Sequence, residues 1–261
     1  MCILSLMTIW LIILTFAVVS AAFVYTKRYS SSRRIGSLYF IQFFYLFVLS
    51  PAVFISLLNI ALNIYLRVPT PEAIDGSLLF SLFALSLAIG VAGNGIHSTS
   101  TSVFQAFQKR SQLKAFLTNE AFHGPLSHDM TFAGSLLTAF FLSLLEITRP
   151  ASYSQSLTIF IFLGILIGLA QAISIIWSTH IGLNLGVSFI CVAILSSFLP
   201  QMQDSLFLYP IAISMFSLLA TTFVILAFVG LSVVLFKSTT KKMVRLLFPT
   251  GHPIHESFSF F

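Results

Sequence analysis

Residues 156–199 read SLTIFIFLGILIGLAQAISIIWSTHIGLNLGVSFICVAILSSFL. As one helix this stretch would run roughly 66 Å at 1.5 Å per residue, about twice the hydrocarbon thickness of a bilayer. It must break. Trp177-Ser178-Thr179-His180-Ile181-Gly182 gathers its polar residues and a glycine, so the turn belongs there. The stretch is therefore two spanning helices, 156–177 and 180–199. The parity of every other segment follows from that division.

Working outward, five further runs are long and apolar enough to cross: 3–25, 36–66, 77–103, 126–148 and 206–236. The second and seventh helices exceed the bilayer's need, which tilt or protrusion absorbs. Pro51 is expected to kink the second. Composition agrees: 57% of the chain is hydrophobic, 8% is charged, and the mean hydropathy is +1.01. Soluble domains carry about 25% charged residues. The expected fold is one all-α domain over residues 1–248, a bundle of seven transmembrane helices, followed by a flexible tail at 249–261. Cys2 and Cys191 provide no disulfide framework, since one opens the chain and the other lies in an apolar run.

Basic residues give the bundle a direction. Lys27, Arg28, Arg33 and Arg34 follow helix 1; Lys109, Arg110 and Lys114 follow helix 3. Lys237, Lys241, Lys242 and Arg245 follow helix 7, and only Arg67 and Arg149 fall on the other side. By the positive-inside rule the N-terminus is outside and the C-terminus cytosolic. The net charge of +6 is thus an orientation signal rather than a nucleic-acid surface. Segment 3–25 lacks a basic n-region and is too long for a signal peptide, although Ser20-Ala21-Ala22 resembles a cleavage site; it is read as a retained helix. Residues 104–118 and 241–248 interleave aromatic or aliphatic residues with Lys and Arg. Each reads either as a surface helix on anionic lipid or as a frayed helix end. The chain is placed in a bilayer, without indication of which membrane.

An ionisable side chain at the centre of a spanning helix costs about 2.5–3.5 kcal/mol on insertion scales, so such residues are functional candidates. Gly90, Asn94, His97 and Thr101 form one small, polar stripe on helix 3. Ser127, His128 and Asp129 open helix 4, preceded by Asn119, Glu120 and His123. Gly124 and Pro125 mark a turn beside His123, and His180 sits in the turn between helices 5 and 6. Four histidines thereby share the cytosolic side: His97, His123, His128 and His180. Imidazole suits zinc, and also iron and copper. Three histidines and a water make an open catalytic zinc site, for which Glu120 or Asp129 would be the general base or the carboxylate orienting a ligand. Haem on His97 and His180 lacks any attachment motif.

Against a metal stands polar packing. Asn94 could hydrogen-bond His97, and Asp129 could satisfy the start of helix 4. Ser56, Asn59 and Asn63 on helix 2, and Gln171, Ser174 and Ser178 on helix 5, are expected to be interhelical hydrogen-bonding faces. Gln171 is also placed on a path toward the histidines. Glu146 and Arg149, three residues apart, are expected to pair at the outer interface.

Gly93-Asn94-Gly95-Ile96-His97 and Leu126-Ser127-His128-Asp129 carry a resemblance. The chain resembles multi-pass membrane proteins with an N-G-I-H helix and a downstream L-S-H helix. More distantly it is similar to the ceramidase and progestin-receptor-like membrane hydrolases. That resemblance implies about seven helices with Ser, Asp and His around zinc, and hydrolysis within the membrane. The last helix here lacks the family's His-x-x-x-His, and Phe132 stands where another histidine is expected. Two functions compete at this level. One is a metal-dependent hydrolase of a lipid or amphiphile. The other is a transporter, binding bundle or structural subunit without catalysis.

Overall fold

The structure is a computed structural model and describes residues 5–27, 34–35, 38–69, 75–107, 118–119, 121–150, 156–178 and 181–235. It is helical throughout apart from one short hairpin. Seven helices are long and apolar enough to cross a membrane. They are α1 (Leu6–Lys27), α2 (Ser50–Tyr65), α3 (Gly76–Phe107), α4 (Ser127–Ile147), α5 (Leu157–Ser178), α6 (Ile181–Met202) and α7 (Pro210–Leu235). The break in the decisive stretch falls where its polar cluster puts it, since α5 ends at Ser178 and α6 begins at Ile181. Large apolar side chains face outward: Phe16, Phe162, Phe189, Phe228 and Val234 are each more than half exposed. Exposed apolar surface on this scale fits a lipid surround.

Two starts differ from the sequence expectation. Helix was expected from residue 36, but Arg34–Ile35 (β1) and Leu38–Tyr39 (β2) pair antiparallel, and helical structure begins at Phe40. The pairing places Arg34 opposite Tyr39 and Ile35 opposite Leu38. The last helix was expected from 206, yet Gln203–Leu208 forms a 3-10 turn and α7 opens on Pro210. Proline lacks an N–H and suits the first position of a helix, where that donor has no partner. At the start of α3, Asp75 accepts from the Ser77 N–H and hydroxyl at 2.8 Å. These bonds favour the charged form and hold its carboxyl below the usual value. Residues 108–117, 241–248 and the tail 249–261 lie outside the described residues.

Prolines set two local irregularities. Tyr45–Leu49 winds as a π turn just before α2, and the Ser50 N–H reaches back to the Tyr45 carbonyl. Pro51 follows in the first turn of α2, where its missing N–H is tolerated. The expected disturbance around Pro51 therefore takes the form of an extra residue in the turn preceding it. Phe122–Leu126 is a second π turn, and it contains the Gly124-Pro125 pair that was expected to be a turn between segments. It leads directly into α4, so the fourth span runs Phe122–Ile147.

Helices α3 and α4 make the most extensive contact in the bundle. Their facing residues form an antiparallel ladder. Ser86 meets Thr138 at 3.2 Å, and a Cβ on Gly134 would sit 2.6 Å from the Gly90 nitrogen. A Cβ on Gly93 would sit 2.6 Å from the Thr131 nitrogen. Only glycine permits backbones this close, the small-residue packing expected between membrane helices. The other main contact is parallel, between α5 and α7. Gly164 lies against the Ser214 carbonyl and Gly168 against that of Leu218, one turn further in both helices. α1 packs on α2 and α5, while α6 leans on α7 and α4. Phe83, Leu136, Leu142, Phe160, Met215 and Leu219 fill the centre.

One end of the bundle is tied by charge. Glu146 is fully buried; its Oε2 accepts from the Ala212 N–H at 2.7 Å, and its Oε1 lies 3.3 Å from Arg67 Nη1. The expected partner, Arg149, turns elsewhere. Its guanidinium donates to the carbonyls of Tyr65 and Arg67 at 2.5 and 2.6 Å and lies over the Tyr65 ring. The carboxylate thus serves the open N–H groups at the start of α7, and Arg149 the open carbonyls at the end of α2. Each charge complements a helix terminus rather than its neighbour along α4.

Candidate functional site

At the other end the α3–α4 ladder changes character. Its next rungs are His97 facing His128 and Thr101 facing His123. His128 Nε2 lies 3.0 Å from His97 Nδ1, and Thr101 Oγ1 lies 3.1 Å from His123 Nε2. The His97 and His123 rings stack with centroids 4.8 Å apart; those of His97 and His128 are 4.7 Å apart. His123 and His128 are 6.0 Å apart. Three imidazoles from two helices and a π turn therefore form one cluster. His128 is 9% exposed. The π turn brings His123 in, so the Gly124-Pro125 pair expected to mark a turn beside this residue lies in the element that places it. The Ser127 hydroxyl donates to the His123 carbonyl and ties that turn to α4.

The cluster borders a chamber of about 240 Å³ inside the bundle. Leu14 and Val18 of α1, Leu49 of the first π turn, Val53 of α2, and Met215 and Leu218 of α7 give it apolar walls. A polar stripe crosses it, made of Asn94 and His97 on α3, His128 and Thr131 on α4, and Gln171 and Ser174 on α5. Gln171 Nε2 donates to Ser135 Oγ at 2.5 Å. Asn94 does not serve His97 as expected. Its Oδ1 accepts from the Tyr45 hydroxyl at 2.9 Å, and its Nδ2 donates to Ser50 Oγ at 2.9 Å. Tyr45 lies in the first π turn, so Asn94 bridges α3 to the irregular start of α2.

The remaining sequence candidates divide. His97, His123 and His128 come together. Asp129 sits half-buried in the first turn of α4 and is not in the chamber wall. Glu120 and His180 lie outside the described residues. Among the described residues, no group of three or more His, Cys, Asp or Glu is arranged to hold a metal ion. The geometry gives the reason. A metal needs ligand nitrogens pointed at one centre. Here one nitrogen each of His97 and His128 faces the other, and the His123 ring lies against that of His97.

Elsewhere the polar stripes turn inward on their own helices. Asn59 and Asn63 donate to the carbonyls of Ile55 and Asn59, one turn back on α2, rather than to a neighbouring helix. Sequence reasoning did not single out Tyr45, Ser50, Thr131 or Ser135. The last two were within reach: Thr131, Ser135 and Thr138 recur at helical spacing on α4 and mark one small, polar face. Comparison with protein-family models, with curated proteins and with solved structures gave no match for this chain.

Proposed function

We propose that this chain is a multi-pass membrane protein that holds a small amphiphile in the chamber between its helices. One observation carries the reading: an apolar cavity inside the bundle is crossed by a single polar stripe ending in the His97–His128 pair. Such a cavity matches a ligand with an apolar body and one polar end, since ligand sites are mostly apolar with a few placed polar groups. At about 240 Å³ it is smaller than drug-sized pockets, which start near 300 Å³. The orientation proposed is N-terminus outside and C-terminus cytosolic. It rests on the eleven Lys and Arg residues that follow helices 1, 3 and 7. The histidine end of the chamber then faces the cytosol.

Native mass spectrometry of the full chain released from nanodiscs tests the reading. The expected result is one bound amphiphile per chain. Val53→Trp, which fills the chamber from α2, is expected to abolish that adduct while the variant still reconstitutes. A chain that carries no adduct and takes up none when amphiphiles are supplied would overturn the proposal.

A second reading, a metal-dependent hydrolase of lipid or amphiphilic substrates, draws on the gathering of three histidines within 6.0 Å. It requires a ligand beyond these three rings as placed, and His180 and Glu120 are the residues to supply it. Elemental analysis of purified protein decides. Stoichiometric zinc, lost in His97→Ala and in His180→Ala, would favour the hydrolase over simple binding.

A further inference from the structure

Resting on the chamber reading, the hydrogen bonds in the chamber wall specify the ligand's polar end. A hydroxyl carries one hydrogen. Thr101, Thr131, Thr138 and Ser174 each spend theirs on a carbonyl one turn back, at 2.7 to 2.9 Å. Ser135 does the same to the Phe132 carbonyl and also accepts from Gln171. The Asn94 amide oxygen accepts from Tyr45, and the Asn94 and Gln171 amide nitrogens each use one of their two hydrogens, on Ser50 and Ser135. What these hydroxyls still offer a ligand is oxygen lone pairs. The described chamber wall contains no Asp, Glu, Lys or Arg.

Three head types can be compared on that inventory. A carboxylate or phosphate finds no Lys or Arg in the described wall to balance it. A quaternary ammonium finds no carboxylate to balance it, and burying a charge without a partner is costly. An uncharged head with O–H groups gives hydrogens to the Thr131 and Ser174 oxygens and accepts from the amide N–H groups that Asn94 and Gln171 keep. The volume admits one chain rather than the two of a bilayer phospholipid.

The route into the chamber follows from the packing. α2 leans on α1, and α3 on α4, while α2 and α3 barely touch. Phe54 on α2 and Val91 on α3 both line the chamber, yet they are 39% and 45% exposed. A side chain that lines an internal space and also faces the surround stands at an opening. We infer that the chamber takes a small single-chain amphiphile with an uncharged, hydroxyl-bearing head, of the short-chain alcohol, diol or monoacylglycerol class, which passes from the bilayer between α2 and α3.

The test uses the full chain in nanodiscs and a monoacylglycerol carrying a photoactivatable diazirine in its chain. Competitors are unlabelled monoacylglycerol, the fatty acid of the same chain length and an alkyltrimethylammonium. Expected are labelled peptides containing Phe54 and Val91, and competition by monoacylglycerol about tenfold stronger than by either charged compound, the worth of one or two hydrogen bonds. Thr131→Val with Ser174→Ala is expected to erase that preference while labelling by the chain persists. If a charged amphiphile competes equally or better, the head assignment falls and the chamber reading stands. If labels avoid α2 and α3, the route falls. If no probe labels the protein, the chamber reading falls and takes this inference with it.

Discussion

Glu146 and Arg67 form an ion pair at 3.3 Å, and removing one leaves the other without its opposite charge there. Glu146 is fully buried, and the Arg67 side chain is 15% exposed. Breaking a buried pair from one side costs about 3–5 kcal/mol, because an uncompensated charge remains. Glu146→Leu and Arg67→Met are each expected to lower the unfolding midpoint sharply in detergent melts. The double variant is expected to recover much of the loss, since no charge is then left unpaired. Additive losses would show that the two do not act as a pair. At this scale the sequence was legible only in part. His97 was marked by its depth in helix 3, and Glu146 by its place at a helix end. Their partners were not, because Tyr45 against Asn94 and Arg67 against Glu146 depend on how separate helices lean together. Spacing along one helix points to the neighbour in sequence, and here that pointed to the wrong arginine.

Among the elements, the α3–α4 pair carries the site, and its glycines set the distance between the two helices. Gly134→Leu places a side chain where the Gly90 backbone stands. Overpacking of this kind costs typically about 1–3 kcal/mol. The expected outcome is a lower melting midpoint together with loss of bound amphiphile, as the His97 and His128 rungs are pushed apart. Gly186→Leu is the control, because nothing lies within 4 Å of a Cβ there, and it is expected to change neither. Equal effects of the two variants would remove the close approach as the cause. The element boundaries explain what was readable. Apolar runs gave six of the seven spans to within a few residues and the second to within nine at its start, as lipid imposes both length and composition. The hairpin before Phe40 and the two π turns were not readable, since each depends on a backbone bond to a residue outside any periodic pattern.

For the whole molecule, orientation is the property the sequence states most strongly and the one most directly measurable. Reporter fusions are expected to place the N-terminus outside and the C-terminus in the cytosol. Exchanging Lys237, Lys241, Lys242 and Arg245 for Gln is expected to weaken that preference, so that a fraction of chains inverts. A C-terminus found outside in the unmodified chain would remove the positive-inside basis for the proposed orientation. The chamber itself could not be read from the chain. It exists because α2 leans away from α3, and a gap between helices leaves no trace in the composition of either.

The ladder between α3 and α4 also sets a phase. Each residue of a helix turns the next by about 100°. One residue added between Gly93 and His97 would leave the glycine rungs seated and swing His97 about a quarter-turn away from His128. The spacing of four between Gly93 and His97 is therefore a fixed interval, set by the partner helix and not by α3 alone.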